Sequence, residues 1–189
     1  NDGMHEQFSQ EVKLNGKLGD GLVDYVAGFF YIDEHNRTDF ADLFTLSPTT
    51  TLLLADRVVR NRTEAAAGYA QADLNLTDQF KLTAGIRYTH ETKTLNLHDN
   101  RISCNDGTLE PTCIDNANLK APSGVAIPSS QTAKVWTPRF AVNYKPNDDM
   151  LLFASATKGF KSGGWNARAS SPTQFLPFDP EKVWSYEAG

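Results

Sequence analysis

Cys104 and Cys113 are the only cysteines in the chain, nine positions apart. Such a pair can close a local disulfide or offer two thiolates to zinc. Zinc is the poorer reading, because a tetrahedral site needs two further ligands, and His98 is the nearest histidine in sequence and stands alone. His90, Glu91 and His98 are a second set with ligating side chains, read here as solvated or rim residues. Residues 158–164, Lys-Gly-Phe-Lys-Ser-Gly-Gly, set glycines beside lysines as a phosphate-binding loop does. The glycine spacing required ahead of a Lys-Ser pair is absent and no helix signal follows, so these glycines mark a bulge or bend at a strand end. Ser155 followed by Thr157 is not a nucleophile elbow, and no Ser, His and Asp set assembles as a triad from sequence order. The reading is therefore of a protein that is not an enzyme, with no catalytic residues, no metal and no cofactor.

The elements that must carry these residues are strands. In residues 80–91 the apolar side chains Phe80, Leu82, Ala84, Ile86 and Tyr88 all fall on even positions, against Lys81, Thr83, Arg87, Thr89 and Glu91 on odd ones. Side chains alternate across a strand, so one face is apolar and the other polar. Phe80 and Tyr88 are eight residues apart, about 26 Å along a strand and about 20 Å in height at a tilt of roughly 40°. That approaches the apolar band, about 25 Å tall and edged by aromatics, of an outer-membrane barrel. Residues 136–144 repeat the layout with Trp136, Pro138, Phe140, Val142 and Tyr144 opposed to Arg139, Asn143 and Lys145. Residues 63–76 and 8–18 keep the same parity more weakly. In residues 23–32 the two faces compete, Tyr25, Ala27, Phe29 and Tyr31 against Val26, Gly28, Phe30 and Ile32, and the facing stays open. Pro138 lies inside a strand and predicts a local bulge.

Connections alternate in length. Gly19-Asp20-Gly21, Thr77-Asp78-Gln79 and Pro146-Asn147-Asp148-Asp149 have the chemistry of tight turns. Residues 39–60, 98–133 and 166–180 read as long loops. In a meander this order puts all long loops on one side, the extracellular side of an up-and-down barrel, and the short turns on the periplasmic side. The run 80–97 exceeds the roughly 9 to 11 residues a spanning strand needs, so residues 91–97 project beyond the membrane. No run of roughly 18 apolar residues exists to form a membrane helix. Within 189 residues, 40% hydrophobic with a net charge of −5, Lys and Arg are scattered through alternating strands, which disfavours nucleic acid as a partner. The fold class expected is all-β, an antiparallel up-and-down transmembrane β-barrel, here partial with about seven strands.

Three segments resemble the barrel of TonB-dependent receptors, the outer-membrane transporters for siderophores and other scarce nutrients. They are residues 136–144, beginning Trp-Thr-Pro-Arg-Phe; residues 152–166, running into Gly-Phe-Lys-Ser-Gly-Gly-Trp-Asn; and residues 180–189, Pro-Glu-Lys-Val-Trp-Ser-Tyr-Glu-Ala-Gly. Gln-Glu-Val-Lys-Leu at 10–14 and Ala-Gly-Ile-Arg-Tyr at 84–88 are similar to the family as well. The resemblance implies a barrel of about 22 strands with a plugged lumen. Residues 1–189 would then be an interior part of that barrel domain, without the plug, the segment that engages the TonB energy-transducing complex, or the closing strand. It also implies residence in the bacterial outer membrane, contact with its lipid, and import of a ferric siderophore or similar small nutrient.

An exported protein faces an oxidising compartment, which makes a disulfide between Cys104 and Cys113 the preferred reading of that pair. Arg87, Glu91, Arg139 and Asn143 on the polar face, with Phe160, Lys161 and Trp165 near the outer rim, are the candidates for lining the lumen or touching ligand. A passive porin is the first alternative, and a barrel enzyme or soluble β-sandwich binding module the second.

Overall fold

A computed structural model of the chain describes residues 2–106, 113–116, 119–120, 123–169 and 171–189. Among the described residues, seven strands, β1 (Asp2–Leu18), β2 (Val23–Ser47), β3 (Thr50–Thr77), β4 (Phe80–Asp99), β5 (Ser130–Asn147), β6 (Met150–Lys161) and β7 (Glu181–Ala188), form one sheet in sequence order. Every neighbouring pair is antiparallel. This is the up-and-down wall of a partial barrel. Short turns join β1 to β2, β3 to β4 and β5 to β6 at one end, while residues 100–129 and 162–180 make long connections at the other.

Two expectations are corrected. Residues 39–60 are not a loop: β2 and β3 run on as a paired ribbon, Phe40 opposite Arg57 and Asp42 opposite Ala55, and turn only at Pro48-Thr49. Cross-strand pairing overrides the loop-like mix of Asp, Thr and Pro there. Pro138 causes no bulge in the β4 ladder, since it sits opposite Ile86 in unbroken register. The ladder to β6 begins at Arg139–Thr157, so the missing N–H falls where β5 has no paired β6 residue to serve.

Register also resolves β2. Val23 pairs with Leu74, Leu74 with Leu82, and Leu82 with Val142. Residues opposite one another share a face, so odd positions of β2 join the apolar face and even positions the polar one. On the apolar face Val12 is 67% and Phe140 54% exposed. At one rim of that face, Tyr88 meets Trp136 at 4.7 Å between ring centroids, Phe8 meets Tyr31 and Trp184 stacks on Tyr186. At the other, Phe80 meets Tyr144.

The first rim crosses the paired rows obliquely. Tyr186 shares a row with Ala156, Phe140 and Ala84, so Trp184, two residues on, falls in the row of Ile86. Phe8 shares a row with Asp33, Glu64 and Thr92. Between β7 and β1 the rim therefore climbs from the row of Ile86 to that of Thr92 over six strand-to-strand steps, one residue per step. One residue of about 3.3 Å per lateral step of about 4.8 Å is a strand tilt of about 35°, the value at which such a rim lies level in a bilayer.

Beyond Tyr88 the faces exchange character. The face that was apolar continues with His90, Thr92, Thr94 and Asn96, and the face that was polar continues with Leu95 and Leu97, 5% and 2% exposed. Leu95 and Leu97 join Phe40, Ala55 and Val59 from the ribbon, Ile114, Leu119 and Ile127 from the first long connection, and Ala169 and Phe175 from the second in one core. The long connections are thus folded onto the inner side of the projecting strands.

Tyr69, opposite Gly28, lies across that glycine, and a Cβ there would fall 2.6 Å from the ring and 2.8 Å from the Val12 backbone oxygen. Gly28→Ala should lower stability by about 1–3 kcal/mol through this overlap, read as an earlier heat-induced mobility change of the folded barrel on gels. Gly68→Ala, with open space around it, should leave the transition within a few tenths of a kcal/mol.

Candidate functional site

Glu91 and Lys93 follow Arg87 and Thr89 on one parity of β4 and reach the level where the connections dock. A cavity of about 520 Å³ opens there, lined by Asn36, Asn61, Lys93, Lys161, Gly163 and Trp165 among others. A smaller one of about 200 Å³ shares Lys93 and Gly163 and adds Glu91, Gln131 and Asp179. The Lys93 ammonium stands 3.8 Å from the Glu91 carboxylate and donates to the Gly163 carbonyl at 3.4 Å. Beside both cavities Gln131 Nε2 donates to the Gly164 carbonyl at 3.0 Å, and the backbones of Gly164 and Phe178 pair. Gly163 must be glycine: a Cβ would overlap the Phe178 carbonyl and come within 2.6 Å of Gln131 Oε1. Trp165 donates its indole N–H to the Pro128 carbonyl at 2.9 Å, joining the two long connections, and packs on the core. Two ammonium groups, amide side chains and an indole suit an anionic ligand with planar or aromatic parts.

Of the candidates named from sequence, Glu91, Lys161 and Trp165 are thus brought together. Phe160 borders the larger cavity but pairs with Lys182, on the parity of the apolar face. Arg87, Arg139 and Asn143 lie apart, further down the polar face. The Arg87 guanidinium sits over the rings of Phe30 at 5.6 Å and Tyr69 at 5.9 Å, and its Nε donates to Thr89 Oγ1. Tyr69 Oη in turn donates to Glu11 at 2.7 Å. Arg139 is exposed opposite Gly85, and Asn143 faces Lys81.

Sequence reasoning missed Lys93, whose position two beyond Glu91 on the same parity was a usable signal. It also missed the charges beneath the site. Arg57, 2% exposed, donates from Nη1 to the Ala169 carbonyl at 2.8 Å and so holds the second long connection to β3. Opposite it, Asp99 is 1% exposed and accepts a forked pair from Arg101 at 2.9 and 2.8 Å and the Ile114 N–H at 2.9 Å. Burial pushes the Asp99 carboxyl up, but the Arg101 and backbone hydrogen bonds together outweigh it and hold it below the ordinary carboxylate range. Cys104 and Cys113 are disulfide-bonded, their Cα atoms 5.6 Å apart, and Ile114 beside Cys113 is wholly buried.

A carboxyl held below its unfolded pKa stabilises the fold above that unfolded value and stops doing so as pH falls through the folded one. The Ile114 amide should therefore exchange slowly with deuterium at pH 5 and lose protection only below about pH 4. Asp99→Asn should remove this pH dependence. Replacing both cysteines by serine should weaken docking of residues 100–129 by about 3 kcal/mol at most, from the closure entropy of so short a loop. Faster exchange at Ile114, with no mass gain on alkylation of the unreduced wild type, would verify the bond and its role.

Against known proteins, the family model for the TonB dependent receptor-like β-barrel matches residues 1–189. The pesticin receptor of Yersinia enterocolitica is 24% identical over 189 residues, 98% of this chain and 24% of that receptor. The metal-pseudopaline receptor CntO of Pseudomonas aeruginosa is 41% identical over 61 residues, 32% of this chain and 8% of that protein. The crystal structure of the ferric yersiniabactin uptake receptor FyuA from Yersinia pestis superposes with a TM-score of 0.74 at 19% identity, covering 99% of this chain and 26% of that one. The chain spans about a quarter of the length of the receptors it matches end to end. With the family model covering every residue, the chain belongs to the TonB-dependent receptor β-barrel family.

Proposed function

We propose that residues 1–189 are part of the barrel wall of an energy-coupled outer-membrane import receptor. In this reading the docked connections capture a ferric siderophore or a comparable scarce nutrient, which then passes along the polar face of the strands into the periplasm. The TonB complex drives release by acting on a plug encoded outside these residues. The observation that carries the reading is the cavity between the second docked connection and strands β2 to β4 and β6, where Lys93, Lys161 and Trp165 converge above a polar wall bearing Arg87, Arg139 and Asn143. Family membership over the whole chain and the receptor names of the relatives support import over an open pore or an enzyme. The quarter-length coverage of those relatives supports a longer parent barrel.

The test is growth and labelled-cargo uptake by a deletion strain complemented with the full-length receptor, on a panel of iron sources. Lys161→Ala combined with Trp165→Ala should weaken cargo binding by about 10- to 100-fold, the worth of one or two lost charge-assisted or aromatic contacts. Arg87→Ala and Arg139→Ala should slow uptake while leaving surface binding close to wild type. Unchanged binding in the first variant contradicts capture at this cavity, and unchanged uptake in the second removes both arginines from the passage.

A further inference from the structure

We propose that the outer surface of the projecting strands carries a binding site for the phosphorylated sugar headgroup of an outer-leaflet glycolipid. The reading rests on membrane insertion of the barrel and is independent of its cargo. The register from Val23–Leu74 to Asp42–Ala55 has no break, so Arg37, Arg60 and Arg62 keep the parity of the hydrocarbon-side face. Arg37 stands directly opposite Arg60, with Met4 and Asn96 on either side in the same row. Like charges directly opposite on neighbouring strands repel, and an anion between them relieves that cost. A cavity of about 600 Å³ opens at this point, lined by Glu6, His35, Arg37, Arg60, Arg62 and Asn96 among others.

The three arginines are not equally engaged. Arg62 is forked onto Asp33 at 2.8 and 2.9 Å and reaches Glu64 at 3.3 Å, and His35 also leans on Asp33 at 3.2 Å. Arg37 has a single approach of 3.6 Å to Asp39. Arg60 is exposed and has no ion pair among the described residues. Glu6 is the one carboxylate among the described residues that line the cavity. Two arginines paired across about 5 Å of sheet on one face can both reach the oxygens of a phosphate, which Arg grips in a fork. Asn96 and Glu6 beside them can donate to and accept from sugar hydroxyls.

Height selects the occupant. The cavity occupies the rows of Thr94 and Asn96, whereas the rim residue of β2, Tyr31, is in the row of His90. Four to six residues at a tilt of about 35° place it about 11–16 Å above the apolar band. Acyl chains end below that level and the sugars and phosphates of a glycolipid fill it.

The test uses the full-length receptor purified in detergent from outer membranes, with co-purifying phosphorylated glycolipid quantified by mass spectrometry. Arg37→Gln combined with Arg60→Gln should reduce retained glycolipid by about tenfold, the value of one lost charge-assisted contact, while heat-modifiable folding and cargo import persist. Retention equal to wild type overturns the proposal. A second arm needs no variant: wild-type receptor is placed in phosphatidylethanolamine vesicles with the phosphorylated glycolipid, with its dephosphorylated form, or with millimolar inorganic phosphate. The phosphorylated glycolipid alone should raise the unfolding midpoint. Equal shifts with both glycolipid forms, or with inorganic phosphate alone, overturn the headgroup assignment. A receptor that imports cargo yet ignores glycolipid sinks only this inference, whereas one that fails to enter membranes sinks the reading it rests on.

Discussion

Cross-strand register, shifted near strand ends at Asp42–Ser47, Asn75–Thr77 and Tyr144–Asn147 but continuous between them, ties the side chains of the wall to one of two faces, because a slip of one residue would exchange them all. In a wall against hydrocarbon this is decisive, since the backbone must pair completely and only the side chains can adapt to the solvent on each side. From Phe80 to Tyr88 the outward side chains are apolar and the inward ones polar. At His90 the solvent outside becomes water, and the inward face, roofed by Ile114, Leu119, Ile127, Ala169 and Phe175 of the two connections, becomes the place to bury Leu95 and Leu97. The same strand thus serves a membrane below and a small globular core above, and the aromatic rim marks the exchange.

That upper core carries the proposed capture site. The second docked connection presents Trp165 and Gly163, and the end of β6 presents Lys161, beside Lys93 and Glu91. Arg57 and Asp99 act inside the core, the first holding residue Ala169 and the second Ile114. Asp99 is tolerated out of water because hydrogen bonds from Arg101 and the Ile114 N–H meet its carboxylate, whereas Arg57 keeps one bond from Nη1 and leaves its buried Nε without a partner among the described residues. Their arrangement preorganises the connections, which lowers the ordering cost a ligand would otherwise meet.

Residues 80–88 and 136–144 were readable from sequence because their strict alternation is imposed by two solvents at once. β2 was not, because Phe30, on the polar face, covers Arg87 rather than facing lipid, so aromatic residues occur on both parities. The extension over 39–60 was hidden for a related reason: Phe40 and Val59 are buried by connections that return from more than fifty residues away. Leu95 and Leu97, on the odd parity after Tyr88, were the visible trace of that arrangement. Lys161 and Trp165 were legible through their family-like segment, whereas Asn36 and Asn61 join them only through register.

Wall and upper core meet where the two faces of β4 exchange solvents, and a nitroxide scan of positions 80–98 in the full-length receptor in lipid vesicles tests this most directly. Even positions from 82 to 86 should collide with lipid-dissolved oxygen and be shielded from an aqueous nickel chelate. Even positions from 90 to 96 should show the reverse, and 95 and 97 should meet neither. Aqueous access at 82 and 86, or oxygen-rich contact at 95 and 97, would contradict the wall, its rim and its upper core together.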